Sequence, residues 1–371
     1  MNVSSAGRLS QIDFLRAIAV FLVIGNHMAV CPPEVSGFFN LVTGIWNQGG
    51  WVGVDLFFVL SGFLISGLLF REYKKYDRLN IKKFLVRRGF KIYPPFWFLI
   101  FTTLAIVLLS HEKPYRLGFL DEMLFIQNYE PSIWNHTWSL AVEEHFYIFL
   151  SLLFFVLLVV KKEKSGNPFT AIPWFFAAVA VVCLAFRLIT AVYVPFEYGV
   201  HICQTHLRID SLFFGVFLAY FWHFGNLSEN KFLIKYKFFI GLTGAGLLLP
   251  AFIFEVQTAS WIWVAGLTLF YLGSGLLLLV LLKSDTDENA FVKFFAELGK
   301  YSYSIYLWNL PIHFWLTKFT NLAAENWFLY TLIYWTGTLV LGVVSAKLIE
   351  YPFLRLRDKL MPSQVSSLKT A

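Results

Sequence analysis

Two side chains on one apolar stretch have the types that acid–base chemistry needs. Arg16 and His27 are eleven residues apart. At 100° per residue this spacing puts both on one helix face, about 16 Å apart along the axis. Asp13 lies one turn before Arg16 on that face. Because an imidazole takes up a proton near neutral pH, the stripe predicts either a general base or an ion pair beside a structural histidine.

Three acidic side chains lie in two other apolar stretches. Asp55 follows Gly53 in the second stretch, and Glu143 and Glu144 lie in the fourth. We estimate that all three lie at about the depth of His27. A carboxylate beside a histidine orients the ring and stabilises its charged form. This layer therefore predicts a general base supported by a carboxylate, although a proton relay in a transporter would use the same residues.

Charged residues also stand where apolar stretches begin. Arg208 and Asp210 precede the sixth stretch, where they would either clamp a polar acceptor or pair with each other. Arg87, Arg88 and Lys91 precede the third. Such a basic cluster satisfies membrane topology and anionic lipids, and it equally suits the phosphates of a nucleotide-bearing donor.

The elements that position these residues are predicted to be membrane-spanning helices. Hydrophobic residues make up 58% of the chain and charged residues 14%, whereas a soluble domain has about 25% charged residues. A helix needs about 20 mostly apolar residues to cross a bilayer. Such runs predict an all-α, polytopic bundle of about ten transmembrane helices, at 12–30, 52–70, 92–110, 138–160, 172–194, 208–224, 236–254, 261–282, 303–320 and 327–349.

The distribution of positive charge predicts the orientation in the membrane. Almost all lysines and arginines fall in alternate loops and the two ends of the chain, as the positive-inside rule requires. We expect an integral protein of the bacterial inner membrane with both termini cytoplasmic. Since topology accounts for the charge of +7, no nucleic-acid partner is predicted. The spacing of Cys31, Cys183 and Cys203 predicts no metal site and no disulfide framework.

Seven sequence strings together resemble acyltransferase family three, the multipass membrane acyltransferases that modify bacterial surface glycans and related molecules. The resemblance runs from about Gln11 to Phe353 and is carried, in chain order, by IDFLRAIAVFLVIGNH, GVDLFFVLSGFLI, RRGFKIYPPFW, WSLAVEEHFY, LRIDSLFFG, LGKYSYSIYLWNLPI and EYPF.

The resemblance implies a donor, an acceptor and a set of site residues. It implies acyl-CoA, commonly acetyl-CoA, as the donor substrate with no permanently bound cofactor. The acceptor would be a hydroxyl of an extracytoplasmic glycan or lipid-linked sugar, and membrane lipids surround the protein. The catalytic residues implied are His27, Asp55, Glu143 and Glu144. The donor-binding residues implied are Arg16, Arg87, Arg88 and Lys91. Apart from the resemblance, Arg208, Asp210 and Asn309 are predicted to bind the substrate.

Two positions depart from the family pattern. Lys91 stands where arginine is usual, which keeps the charge but loses bidentate phosphate binding. Asn309 stands where histidine is common.

We expect a single transmembrane domain over residues 1–371, with its core at about 11–353 and a cytoplasmic tail at 354–371. The predicted function is O-acyl transfer from cytoplasmic acyl-CoA, and the alternative is a proton-coupled transporter of a glycan, lipid or acylated metabolite.

Overall fold

The computed structural model describes residues 10–111, 116–161, 166–284 and 289–362, and in these ranges all regular secondary structure is helical. The all-α prediction is confirmed for them. The helices are α1 Ser10–His27, α2 Gly37–Gly49, α3 Gly53–Tyr76, α4 Ile81–Leu109, α5 Arg116–Leu124, α6 Trp138–Lys161, α7 Ile172–Tyr193, α8 Tyr198–Ile202, α9 Thr205–Phe224, α10 Lys231–Lys235, α11 Lys237–Leu248, α12 Pro250–Ile253, α13 Leu267–Leu282, α14 Ala290–Gly299, α15 Ser302–Phe319, α16 Leu322–Glu325, α17 Trp327–Ser345 and α18 Tyr351–Leu360.

Several helix ends follow from local sequence. The side chain of Asn80 accepts a hydrogen bond from the backbone N–H of Lys83 and so caps the start of α4, as expected for asparagine at this position. Asp77 adopts a left-handed conformation, φ 52°, and ends α3. Two π-helical turns, Ile262–Gly266 and Ala346–Glu350, lead into α13 and α18.

Helix α3 lies at the centre of the bundle and α7 at its periphery. The apolar part of the stretch containing α3 is 78% buried, whereas that of α7 is 11% buried. Close packing of α3 on α9 depends on two glycines. A Cβ on Gly62 would lie 1.9 Å from the carbonyl oxygen of Leu212, and one on Gly215 would lie 2.3 Å from that of Val59. The two backbones therefore touch where α9 carries its charged residues past α3.

Six helical stretches in the described residues are long and apolar enough to cross a membrane, so the predicted ten spans are not confirmed. The remaining predicted runs, 12–30, 208–224, 236–254 and 303–320, do form helices. The helices in 12–30, 208–224 and 303–320 are short and carry charged residues, and the helix in 236–254 is interrupted at Leu249. The six stretches are Gly37–Tyr76, Ile81–Leu109, Asn135–Val160, Ile172–Tyr193, Ile262–Leu282 and Trp327–Leu360.

The ends of the chain are described in part. Residues 1–9 and 363–371 lie outside the described ranges, and with them half of the predicted cytoplasmic tail. Within the tail, α18 continues to Leu360. The single-domain organisation stays a prediction.

Candidate functional site

His27 stands at the last residue of α1, where other helices hold the end of α1 by its carbonyl groups. The hydroxyl of Tyr334 donates to the carbonyl of Ile24, 2.9 Å away, and the amide of Asn47 donates to that of Asn26 at 2.6 Å. Because the last carbonyls of a helix have no partner within the helix, these bonds fix the position of His27.

The partner of His27 is an amide rather than a carboxylate. Nδ1 of His27 is hydrogen-bonded to Oδ1 of Asn309, and the amide nitrogen of Asn309 donates to the carbonyl of Tyr306. The prediction that Glu143 or Glu144 supports His27 is therefore corrected. Both glutamates lie on faces of α6 that bring them to other partners.

A second histidine lies beside His27. His136 is 2% exposed, and its ring centroid is 6.1 Å from that of His27. Its Nε2 lies 3.1 Å from the carbonyl oxygen of Leu307. Both imidazoles line one cavity of 600 Å³, which we call the histidine cavity.

A loop anchor outside the spanning helices holds His136 in place. The carboxylate of Glu122, on α5, accepts hydrogen bonds from the backbone N–H groups of Ile133 and Trp134 and from the hydroxyl of Thr137. Burial raises the pKa of Glu122 to about 7, although these hydrogen bonds favour its ionised form. This anchor fixes the segment that leads into α6.

Four cations surround a second cavity of 270 Å³, which we call the basic cavity. They are Arg16 on α1, Arg71 on α3, and Arg88 and Lys91 on α4. Three of them were predicted as donor-binding residues. Arg87, the fourth predicted residue, faces away and pairs with Asp358 at 3.0 Å.

The predicted partners of these cations are partly observed. Arg16 lies 4.0 Å from Asp13, as an internal ion pair. Lys91 forms an ion pair with Glu350, which sits in a π-helical turn and also accepts from the hydroxyl of Ser304 at 2.8 Å.

Glu143 belongs to the basic cavity and Glu144 does not line it. Glu143 accepts hydrogen bonds from Ser61 at 2.7 Å and from Tyr147 at 3.0 Å, and it lines the cavity together with Arg88. Glu144 accepts from Tyr93 at 2.9 Å. Glu143 and His27 therefore line different cavities.

The basic cavity is long, and its far end reaches the histidine cavity. It follows α3 from Arg71 to Val54, which at 1.5 Å per residue is about 25 Å. Ser139 and Tyr306 line this far end, with their hydroxyls 2.6 Å apart. Tyr306 also donates to the backbone carbonyl of His136, 2.5 Å away. These hydrogen-bonded groups of Ser139, Tyr306 and His136 therefore separate the two cavities, and we call them the partition.

Arg208 and Asp210 form two crossed ion pairs with other helices. Arg187 binds both carboxylate oxygens of Asp210, at 2.6 and 2.7 Å, and Arg208 binds Asp55 at 2.9 Å. Three of the four side chains are 1% exposed and Asp210 is fully buried. The prediction that Arg208 and Asp210 pair with each other is wrong, because each pairs with a residue of another helix; that they bind a polar acceptor stays a prediction.

The Arg208–Asp55 pair lies behind the partition. The guanidinium of Arg208 stands over the rings of Phe58 and Trp138, 5.7 and 5.5 Å from their centroids. Phe58 lines the basic cavity and Trp138 the histidine cavity. The Arg208–Asp55 pair therefore supports the wall between the two cavities. Neither residue is part of the described lining of either cavity.

An acyltransferase family model, described as an acyltransferase domain, matches residues 9–347. This chain belongs to acyltransferase family three. Membership in this family, together with the six apolar stretches, makes it an integral membrane protein with an acyltransferase domain.

Two relatives from Staphylococcus aureus indicate how far the similarity extends. A protein of strain COL provisionally named an O-acetyltransferase, SACOL0978, is 28% identical over 379 aligned positions, covering 92% of this chain and 56% of that protein. O-acetyltransferase OatA of strain NCTC 8325 / PS 47 is 27% identical over 369 positions, covering 93% and 57%. This chain therefore spans little more than half the length of these relatives. No solved structure matches it.

Family three explains some site residues, and the structure adds others. Asn309 occupies a position where the family commonly has histidine, and here it orients His27. His136, Arg71 and Tyr306 were missed from the sequence. Two signals were available, because His136 lies two residues before the WSLAVEEHFY string and Arg71 ends the apolar part of α3.

Proposed function

We propose that this chain is a membrane O-acetyltransferase. It moves an acyl group, normally acetyl, from acyl-CoA on the cytoplasmic side to a hydroxyl of a cell-surface glycan or lipid-linked sugar on the other side. The basic end of the bundle is then cytoplasmic, as are both termini. The family and the names of the relatives support acyl transfer.

One observation carries the proposal: two cavities of opposite chemistry meet at a thin partition. Among the described residues, the lining of the basic cavity contains four cations, and that of the histidine cavity contains no lysine or arginine. An anionic substrate fits the first cavity and an uncharged one the second. The thioester and the hydroxyl can therefore meet near Ser139 and Tyr306.

The basic cavity suits coenzyme A along its length. Arg16, Arg71 and Arg88 provide charge-assisted hydrogen bonds to phosphate oxygens at its open end. Between that end and the partition, the wall consists mostly of apolar side chains of α3, such as Leu60 and Leu64. A path of about 25 Å gives a slender pantetheine arm room to bring its thioester to the partition.

His27 is the proposed general base. Its Nδ1 faces an oxygen of Asn309 and so carries the proton, which leaves Nε2 to accept the proton of the acceptor hydroxyl. The new ester C–O bond forms as the thioester C–S bond breaks, and the protonated imidazole returns its proton to the leaving thiolate. Enclosure between the cavities limits competing hydrolysis.

The carboxylates take supporting roles in this proposal. Glu143 lies in the path of the donor and lines it together with Arg88, and Asp55 holds Arg208 behind the partition. Of the predicted catalytic residues, Glu144 has the least support, because its bond to Tyr93 directs it toward α4.

Acetyl transfer without a membrane gradient tests the proposal against the transporter alternative. Purified protein in detergent should release coenzyme A from acetyl-CoA and acetylate a soluble sugar acceptor. His27→Ala is the inactive control. Movement of the unmodified sugar across proteoliposomes, with no acetylation and no release of coenzyme A, would instead establish a transporter.

A further inference from the structure

His136 has one nitrogen that requires a hydrogen-bond donor. Its Nε2 faces the carbonyl of Leu307 at 3.1 Å, and a carbonyl oxygen only accepts, so Nε2 carries the proton. Nδ1 is then a bare acceptor. Among the described residues this buried atom has no hydrogen-bond partner, and unpaired buried polar atoms are rare in folded proteins.

His27 presents a bare nitrogen to the same cavity. Its Nδ1 proton faces Asn309, so its Nε2 is also an acceptor. The two rings are 6.1 Å apart between centroids, close enough for one small molecule to contact both. Two acceptors cannot bond to each other, and a single hydroxyl donates only one hydrogen. In place of water, both nitrogens are satisfied together by an acceptor with two neighbouring donor groups.

We propose that His136 binds a second donor group on the acceptor, adjacent to the hydroxyl that is acetylated. The acceptor is therefore a vicinal diol, or a hydroxyl next to an N–H group, as on adjacent carbons of a sugar ring. This inference rests on the proposed function, and it assigns His136 as an acceptor-binding residue beside the general base. No proton transfer by His136 is required.

The rest of the histidine cavity fits such a molecule. Trp51, Trp138 and Tyr198 offer aromatic faces, and Gln48 and Gln257 offer amides that both donate and accept hydrogen bonds. Together these groups match the apolar faces and the hydroxyl rim of a sugar ring.

Two alcohols of nearly equal size test the proposal directly. Ethylene glycol and 1-propanol differ by one hydroxyl in place of a methyl group. With acetyl-CoA as donor, purified wild-type protein should acetylate ethylene glycol about 10-fold faster, because 1-propanol leaves Nδ1 of His136 unpaired. His136→Leu should abolish this preference. His136→Asn, whose side-chain oxygen can stand near the Nδ1 position, should restore most of it.

The possible outcomes separate this inference from the proposed function. No preference for the glycol in the wild type, or an equal loss of both reactions in His136→Leu, would overturn the inference and leave Nδ1 to a bound water molecule. If acetyl-CoA is not consumed with any acceptor, the proposed function fails instead. A single symmetric peak for each variant in size-exclusion chromatography in detergent excludes misfolding as the cause.

Discussion

The two ends of this helical bundle present different kinds of polar group to their cavities. At the basic end, four long cationic side chains from three helices surround the space, and two of them, Arg16 and Lys91, pair with an acidic residue. At the histidine end, two neutral rings are fixed by a carbonyl and an amide. A flexible charged rim suits attraction of an anion, and rigid neutral acceptors suit the orientation of hydroxyl groups.

The difference indicates how one membrane protein can handle two unlike substrates. In the proposed function, charge at one end attracts the donor without specifying its acyl group, and short hydrogen-bonded contacts at the other end select the acceptor. Between them, the Ser139–Tyr306 partition and the crossed ion pairs behind it fix the position of one cavity relative to the other.

The largest effect is expected at the histidine end. His27→Ala should lower the rate of acetyl transfer about 10²–10⁴-fold, the usual cost of a lost general base. The apparent Michaelis constant for acetyl-CoA should stay nearly unchanged. The matched control is His206→Ala, because His206 stacks on Tyr129 and lines neither cavity. Retention of more than about a tenth of the rate would remove His27 from the chemistry.

The supporting ion pairs should affect stability rather than donor binding. Arg208→Met leaves Asp55 buried without its partner, which is expected to lower the free energy of unfolding by about 3–5 kcal/mol. Asp55→Leu added to Arg208→Met should recover most of this loss. Thermal unfolding of the purified variants measures both changes. If Arg208→Met alone is as stable as the wild type, the ion pair does not stabilise the fold.

At the basic end, two neighbouring arginines should behave differently. Arg88→Gln should weaken acetyl-CoA binding about 10- to 150-fold, the value of a charge-assisted hydrogen bond of about 1.5–3 kcal/mol. Arg87→Gln should change it little, because Arg87 pairs with Asp358 outside the cavity. Isothermal titration with acetyl-CoA compares them. Equal affinities for both variants would assign the cluster to membrane anchoring alone.

The smallest effect is a pH dependence confined to the histidine end. Burial raises the pKa of Glu122 from 4.5 to about 7, so its contribution to stability is complete below pH 4.5 and declines as the pH rises through 7. Between pH 5 and 8 the wild type should lose about 2 kcal/mol more than Glu122→Gln, in which this position does not titrate. Melting curves at the two pH values measure this, and parallel losses would exclude Glu122 as the cause.

Spacing along one helix could be interpreted from the sequence. The spacing of eleven residues from Arg16 to His27 predicted a shared face, and the structure places Arg16 in the lining of the basic cavity and His27 in that of the histidine cavity. The cluster at Arg88 and Lys91 could likewise be placed near a donor, because both residues lie within one helical turn before an apolar stretch.

Contacts between helices could not be predicted in this way. A single sequence shows which face a residue occupies and leaves open which helix packs there. Asp55 therefore appeared available to His27, although α9 brings Arg208 to it. The partner of Glu143 was also missed, because its position on α6 does not show that Ser61 of α3 lies against it.

The central claim is that the acyl donor occupies the basic cavity as far as the partition. Ser61 lines this cavity along the proposed path, and the described native cysteines are all buried. Ser61→Cys should react with a maleimide, and a non-hydrolysable acetyl-CoA analogue should protect it. Ser110→Cys, in a separate cavity between α4 and α15, is the matched control and should not be protected. Equal labelling of Ser61→Cys with and without the analogue, at concentrations that saturate binding, would contradict the account.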